Sequence, residues 1–382
     1  MASFHYGGQA LIEGVLMRGR NALAVALRHP DGSIVWATER LDLGLRARRA
    51  LKMPFLRGLV VLYDTLVTGT RWLVRSATVQ ALALEDGDGG AAAASGSGGA
   101  TAAFGGLLRT LTLLFAGPAM CAAGGTPDGD GPTPASYTDP DAAPSTPTSP
   151  AEQGLGKGYT VAVGGMLLLS LLLGIGIFFL LPLLLAQATA PVVGHGLGLQ
   201  LSEGVIRVAI FVGYLLLMSR MGDVSRTFQY HGAEHMSIHA LEGGNPLTVD
   251  AARKYPTAHP RCGTEFLVVV VIVSILAFAL VGSQSPLILL GSRVLLIPVI
   301  AAVSYEILQL GARHRGHAIV RWLWSPGIWV QAITTKQPTD DMIEVAIISL
   351  ERAIGADGGE LPAGSAVLAC RPLDSESTPA GA

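Results

Sequence analysis

Apolar runs long enough to cross a lipid bilayer limit what this chain can fold into more than anything else in it. Residues 159–188, YTVAVGGMLLLSLLLGIGIFFLLPLLLAQA, carry no charge, and about 20 apolar residues suffice for a transmembrane helix. EGVIRVAIFVGYLLLMSRM (203–221) is a second run. Its Arg207 lies near one end, where a long side chain can snorkel to the interface. FLVVVVIVSILAFALVG (266–282) is a third, and LLIPVIAAVSYEILQLG (295–311), preceded by SPLILLGSRV, is a fourth. A lone span must satisfy its own backbone hydrogen bonds, so each is expected to be a helix. The expected fold class is mainly α: a polytopic membrane protein with about four transmembrane helices.

Composition agrees. Only 14% of the residues are charged and 50% are hydrophobic, with a mean hydropathy of +0.48, whereas soluble domains run near 25% charged. The net charge of −2 and the scattered basic residues exclude a nucleic-acid partner. Cys121, Cys262 and Cys370 are odd in number and far apart, so no disulfide framework is expected. The N-terminus has no basic stretch followed by an unbroken apolar core and does not read as a signal peptide.

Orientation follows from lysine and arginine. The connection between the first two spans has none, and that between the third and fourth has only Arg293. The connection between the second and third carries Arg226, Arg253, Lys254 and Arg261, and basic residues also flank the outer ends of the membrane region. Both termini and the 222–264 loop are therefore expected on the cytoplasmic side of the cell membrane.

Around the membrane domain (158–311) lie four other regions. Residues 1–80 form a small α+β cytoplasmic segment. NALAVALRHPDGSIVWATERL alternates apolar residues on either side of Pro30-Asp31-Gly32, a β-hairpin pattern. PFLRGLVVLYDTLVTGTRWLVRS follows as an amphipathic or interfacial helix starting near Pro54. Residues 82–157, rich in Gly, Ala, Pro, Ser, Thr and Asp, read as a disordered linker. Residues 312–355 read as interfacial and amphipathic helix, with Trp322, Trp324 and Trp329 suited to an aromatic belt and Thr339 or Asp340 as a helix cap. The tail, 356–382, is expected to be disordered.

The chemistry-bearing stretch is YHGAEHMSIHALEGG (230–244), in the cytoplasmic loop. His231, Glu234 and His235 fit the H-x-x-E-H pattern of inverted zincins. Positions i and i+4 share a helix face, so both imidazoles can meet one divalent ion, with zinc the best match to nitrogen ligands. Glu234 stands beside such an ion, placed to take a proton from water. Glu306, inside the fourth span, is a candidate third ligand, since an ionisable group within a span is a functional candidate. His259 and Cys262, in HPRCG just before the third span, are alternative ligands; with His231 and His235 they would make a closed structural site. His239, Glu242, Arg261 and Glu13 are candidates for supporting or substrate contacts. In YGGQALIEGVLMRG the glycines allow close backbone approach, more suggestive of a tight turn than of a site.

The segments YGGQALIEGVLMRG, PFLRGLVVLYDTLV, SRTFQYHGAEH, LTVDAARKYPTAHPRCGTEF, SYEILQL and SPGIWVQAITTKQPTDDMIEVAI together resemble the YqhQ family of bacterial membrane proteins. That resemblance implies a family of unknown function whose members are described as metal-dependent enzymes. Met236 stands where lysine is common in the family, Glu265 where serine is common, and the linker is unusually long; no proposed ligand is lost.

Two functions are expected. The first is a metal-dependent membrane hydrolase working at the cytoplasmic face, a peptidase by its motif, on a membrane protein or lipid-linked substrate. The second is a non-catalytic scaffold or assembly factor in which a metal or polar cluster fixes the loop. A transporter fits less well, because no inverted repeat is evident and the spans carry few polar residues at mid-depth. Nothing in the sequence sets the oligomeric state.

Overall fold

A computed structural model describes residues 6–41, 51–87, 165, 168–194, 196–281, 286–314, 316–365 and 370–373. Of the expected linker only 82–87 fall within these residues, as the end of a helix. The rest of it, including LLRTLTLLFAGPAM, lies outside the described residues.

The N-terminal hairpin is present and is half of a larger meander. Strands β1 (Gly7–Leu11), β2 (Gly14–Arg18), β3 (Ala22–Arg28) and β4 (Ile34–Arg40) pair antiparallel in that order. The expected hairpin is β3–β4, in register from Ala22↔Arg40 to Arg28↔Ile34. The glycine-rich stretch before it makes β1 and β2, whose turn holds Glu13 at φ 53. Part of the tail is ordered: β5 (Arg371–Pro372) adds parallel to β4, and Arg371 pairs with Asp31 at 2.8 Å.

Helix α1 (Leu56–Gly87) begins two residues after Pro54 and lies along the sheet. Its Ser76 hydroxyl accepts from the Ile12 N–H at 3.3 Å, and its Gln80 amide donates to the Arg28 carbonyl at 2.7 Å.

Among the described residues three helices are long and apolar enough to cross a membrane: α2 (Leu168–Val193), α3 (Leu197–Met218) and α6 (Thr264–Val281). Between α3 and α6 lie α4 (Gly222–Glu242) and the short α5 (Val249–Ala252). Leu168, Leu172, Leu184, Val205, Leu217, Leu276 and Leu280 stay exposed on the spans, as side chains facing lipid do. The expected fourth span, 295–311, falls almost wholly in α8 (Ile297–Arg313), and the run before it forms a separate helix, α7 (Pro286–Leu295). The break falls where Pro298 lacks the N–H a continuous helix would use.

Arg207 does not snorkel. It is 3% exposed and pairs with Glu203 at 2.6 Å, while Arg293 takes the other Glu203 oxygen at 2.7 Å. A π-turn at Gly176–Leu180 in α2 turns the Phe178 carbonyl toward Arg207, 3.2 Å away. Charges inside a span are tolerated when paired in this way.

After α8 come α9 (Ala318–Thr334) and α10 (Asp340–Ala356). Trp322 and Trp329 on α9 are exposed, as an interfacial helix requires. Helix α10 begins where expected, with Thr339 at its N-cap, but is buried on more than one side. It is no surface helix: Met342, Ile343, Val345, Ala346, Ile347, Ile348, Leu350, Ala353 and Ile354 are all buried. It packs against the sheet and α4, and the Ser349 hydroxyl lies 3.0 Å from both the Val15 and Ala24 carbonyls. One hydrophobic core thus joins the β-sheet, Trp72 and Leu73 of α1, α4 and α10. Periodicity showed one apolar stripe; a partner on each side buries the rest. Ile347 is fully buried, so Ile347→Ala is expected to cost about 2–5 kcal/mol, read as a lower unfolding midpoint in detergent.

Candidate metal centre

The motif helix α4 is a core element. Thirteen of its residues are buried, among them His231, Glu234 and His235. Within the motif Gly232 has a packing reason: a Cβ there would lie 2.2 Å from the Lys336 carbonyl oxygen. The chain after α9 therefore runs directly over the motif, where the Lys336 N–H donates to the Phe228 carbonyl at 2.9 Å.

Both histidines are held in one tautomer. The His231 Nδ1–H donates to the Thr334 carbonyl at 3.0 Å, at the C-terminus of α9. The His235 Nδ1–H donates to the Thr257 carbonyl at 2.5 Å. Each Nε2 keeps its lone pair, the arrangement by which backbone carbonyls orient metal-binding imidazoles. Cys262 completes the group, its Sγ 3.2 Å from His231 Nε2. One donor atom from each of His231, His235 and Cys262 lies within 4.8 Å of the others. The loop carrying Cys262 is clamped by α9, since the Gln331 side chain makes two hydrogen bonds, 2.9 and 3.0 Å, with the His259 backbone.

Glu234 precedes His235 on the same helix and is buried with it. The Gly8 backbone N–H donates to its carboxyl group, and a Cβ on Gly8 would come within 3.0 Å of the carboxyl carbon. Its Oε2 is buried without a hydrogen-bond partner. Burial pushes the Glu234 carboxyl up to about 8, against the opposing Gly8 contact. Burial also pulls His231 down to about 4 and His235 well below the usual imidazole value, and raises the Cys262 thiol to about 12. In the ion-free protein burial therefore favours the neutral form of all four groups. The residues fit a divalent cation. Two neutral imidazoles and a thiol that a cation deprotonates are zinc-type donors, and a buried carboxyl oxygen lacks any partner. With one thiolate and one carboxylate, a divalent ion there would be electrically balanced.

The remaining candidates separate. Glu306 is not among these residues: its carboxylate receives the Arg57 guanidinium and, at 2.9 Å, the Phe55 N–H, where α1 begins. It anchors α1 to α8. His259 has both ring nitrogens engaged, Nδ1 by the Arg261 N–H at 3.2 Å and Nε2 by Glu242 at 3.3 Å. Arg261 pairs with the same Glu242, and the His239 Nε2–H donates to the Ala258 carbonyl at 3.0 Å. Glu13 chelates Arg226 at 2.5 and 2.6 Å and accepts from the Tyr230 hydroxyl at 3.2 Å, fastening the sheet to α4. Sequence reasoning missed Gly8, Thr257, Gln331 and Thr334. Three of these act through the backbone, which no side-chain pattern reveals; for Gly8 the paired glycines were the one signal.

These features define a mainly helical protein with three candidate membrane-spanning helices, an N-terminal β-sheet, and a histidine–cysteine group beside a buried glutamate. The chain belongs to the family described as Protein of unknown function (DUF1385), which matches residues 53–356. It is 28% identical over 349 residues to the Bacillus subtilis (strain 168) protein named "Uncharacterized protein YqhQ", a match covering 91% of this chain and 92% of that protein. No solved structure matches the chain.

Proposed function

We propose that this protein is a divalent-metal-dependent hydrolase of the cell membrane, zinc being the ion its donors suit best, with its site at the cytoplasmic face. The observation that carries this reading is the convergence of His231, His235 and Cys262 beside the unpartnered Oε2 of Glu234. An ion held by the three donors supplies Lewis acidity for hydrolysis of a carbonyl substrate. Glu234, poised near neutrality by burial, accepts the proton of the attacking water and passes it to the leaving group. Gly8 orients that carboxyl. The H-x-x-E-H pattern favours peptide hydrolysis, and the adjoining spans favour a membrane protein or a lipid-linked substrate.

In this reading the chain crosses four times, with both termini cytoplasmic. The core shared by the sheet, α4 and α10 supports an even number of crossings between them. Helices α2 and α3 supply two before α4. Helix α6 supplies one after it, and the broken α7–α8 pair supplies the other.

The test begins with metal analysis of detergent-purified protein prepared without chelator. At least one zinc per chain is expected, and none at this site in a His231→Ala/His235→Ala variant. Glu234→Gln should retain that ion yet lose hydrolysis of an apolar peptide library in proteoliposomes by about 100-fold or more. A chain without metal, before and after adding zinc, overturns the reading. Near-complete burial of the donors, 1% for His231, 2% for His235 and 4% for Cys262, favours one other function: a scaffold with a closed structural ion, in which Glu234→Gln changes little.

A further inference from the structure

We propose that His239, Glu242 and His259 form a second divalent-cation site, beside the first and on its solvent side. One donor atom from each of the three lies within 4.8 Å of the others. The arrangement repeats the logic of the first group. Helix α4 presents His231, His235, His239 and Glu242 along one face, by successive steps of four, four and three residues. The loop after α5 runs antiparallel to that face and contributes one donor to each group, Cys262 to the first and His259 to the second. The His235 and His259 rings, one from each group, are 5.6 Å apart between centroids, so the two centres are neighbours.

The second group differs in ways that set its chemistry. It contains a carboxylate and no sulfur, which suits a harder or more exchangeable ion. Glu242 is exposed whereas His259 is 4% exposed, so an ion there would be open to solvent on one side. The His239 Nε2–H is held by the Ala258 carbonyl, leaving Nδ1 as the donor atom, and the ring stacks on Tyr255 with 9° between planes. Binding has a cost. The His259 Nε2–H bond to Glu242 must break, the proton moving to Nδ1 with loss of the Arg261 N–H contact, and the Arg261 guanidinium must leave Glu242. The second ion therefore binds more weakly than the first. Its assigned task is to hold an anionic group of the substrate, a carboxylate or phosphate, at the mouth of the first centre. That task rests on the hydrolase reading; the site itself does not.

Cobalt(II) titration of the full-length, chelator-stripped protein in detergent tests it. Cobalt bound by Cys262 gives a near-ultraviolet sulfur-to-metal charge-transfer band, while cobalt on nitrogen and oxygen donors gives only weak visible bands. Two equivalents are expected, the first with the thiolate band and the second without. His239→Ala/Glu242→Gln should lose the second equivalent and keep the thiolate band, which also shows that the variant is folded. Arg261→Gln, which removes the guanidinium paired with Glu242, should tighten the second equivalent about threefold, an effect a purely structural Arg261 would not produce. Saturation at one equivalent that carries the thiolate band, or an equivalent without that band that survives the double substitution, overturns the proposal. A single equivalent without any thiolate band, lost on that substitution, would uphold this site and refute the first.

Discussion

Cys262→Ala is expected to weaken zinc binding by well over the ~10–100-fold that loss of a supporting partner costs, whereas Glu306→Gln should leave it within a few-fold. The contrast separates two ligand sets. Cys262 lies 3.2 Å from His231 Nε2; Glu306 is committed to Arg57 and the Phe55 N–H. Removing the thiol leaves two imidazoles and takes away the thiolate that balances the ion. Removing the Glu306 charge instead loosens the start of α1 from α8, so its effect should appear as a lower unfolding midpoint. Competition against a chromophoric zinc chelator reads the first quantity and thermal unfolding the second. Equal losses of zinc affinity in both variants would return Glu306 to the ligand set.

Stability of the ion-free protein should pass through a maximum near pH 6.5, and Glu234→Gln should flatten its alkaline side. Glu234 is raised from about 4.5 to about 8. Between those values the folded chain holds a proton that the unfolded chain has released, so stability falls as pH rises, by up to ~1.4 kcal/mol per pH unit. The histidines act in the other sense. His231 is lowered from 6.5 to about 4 and His235 is lowered too, so below pH 6.5 the unfolded chain takes up protons the folded one refuses. Stability then falls as pH drops. Unfolding midpoints with chelator from pH 5 to 9, wild type against Glu234→Gln, isolate the carboxyl. Parallel curves above pH 6.5 would mean that Glu234 is not held protonated. Zinc should abolish the alkaline decline in wild type, because the ion then balances the ionised carboxylate.

The parts of the fold legible in the sequence are those written in local periodicity. The long apolar runs gave α2, α3 and α6, and alternation around Pro30-Asp31-Gly32 gave β3–β4. The H-x-x-E-H spacing placed His231 and His235 on one face. What local pattern cannot carry is which distant segments meet. Cys262 and Glu306 were both plausible partners at the same depth, and only the clamp of Gln331 on the His259 backbone decides which one arrives. Helix α10 looked amphipathic because Asp340, Asp341 and Glu344 mark a solvent side. Its burial against α4 and the sheet depends on residues about one hundred and three hundred positions away. The paired glycines Gly7 and Gly8 showed that something approaches closely, without showing that it was Glu234.

The shared core also imposes an order on the making of this protein. Residues 7–40 leave the ribosome some three hundred residues ahead of α10, which covers them. At synthesis rates of 5–20 residues per second the interval is roughly 15–60 s, and the hydrophobic spans must enter the bilayer within it. Until then the nascent sheet has an apolar face with no cover, a state prone to aggregation. Helix α4 is waiting too, because Thr334, whose carbonyl orients His231, is made only just before α10. Assembly of the site thus waits until translation has passed α10, and a chain cut short before Asp340 would leave the sheet and α4 without the helix that covers them.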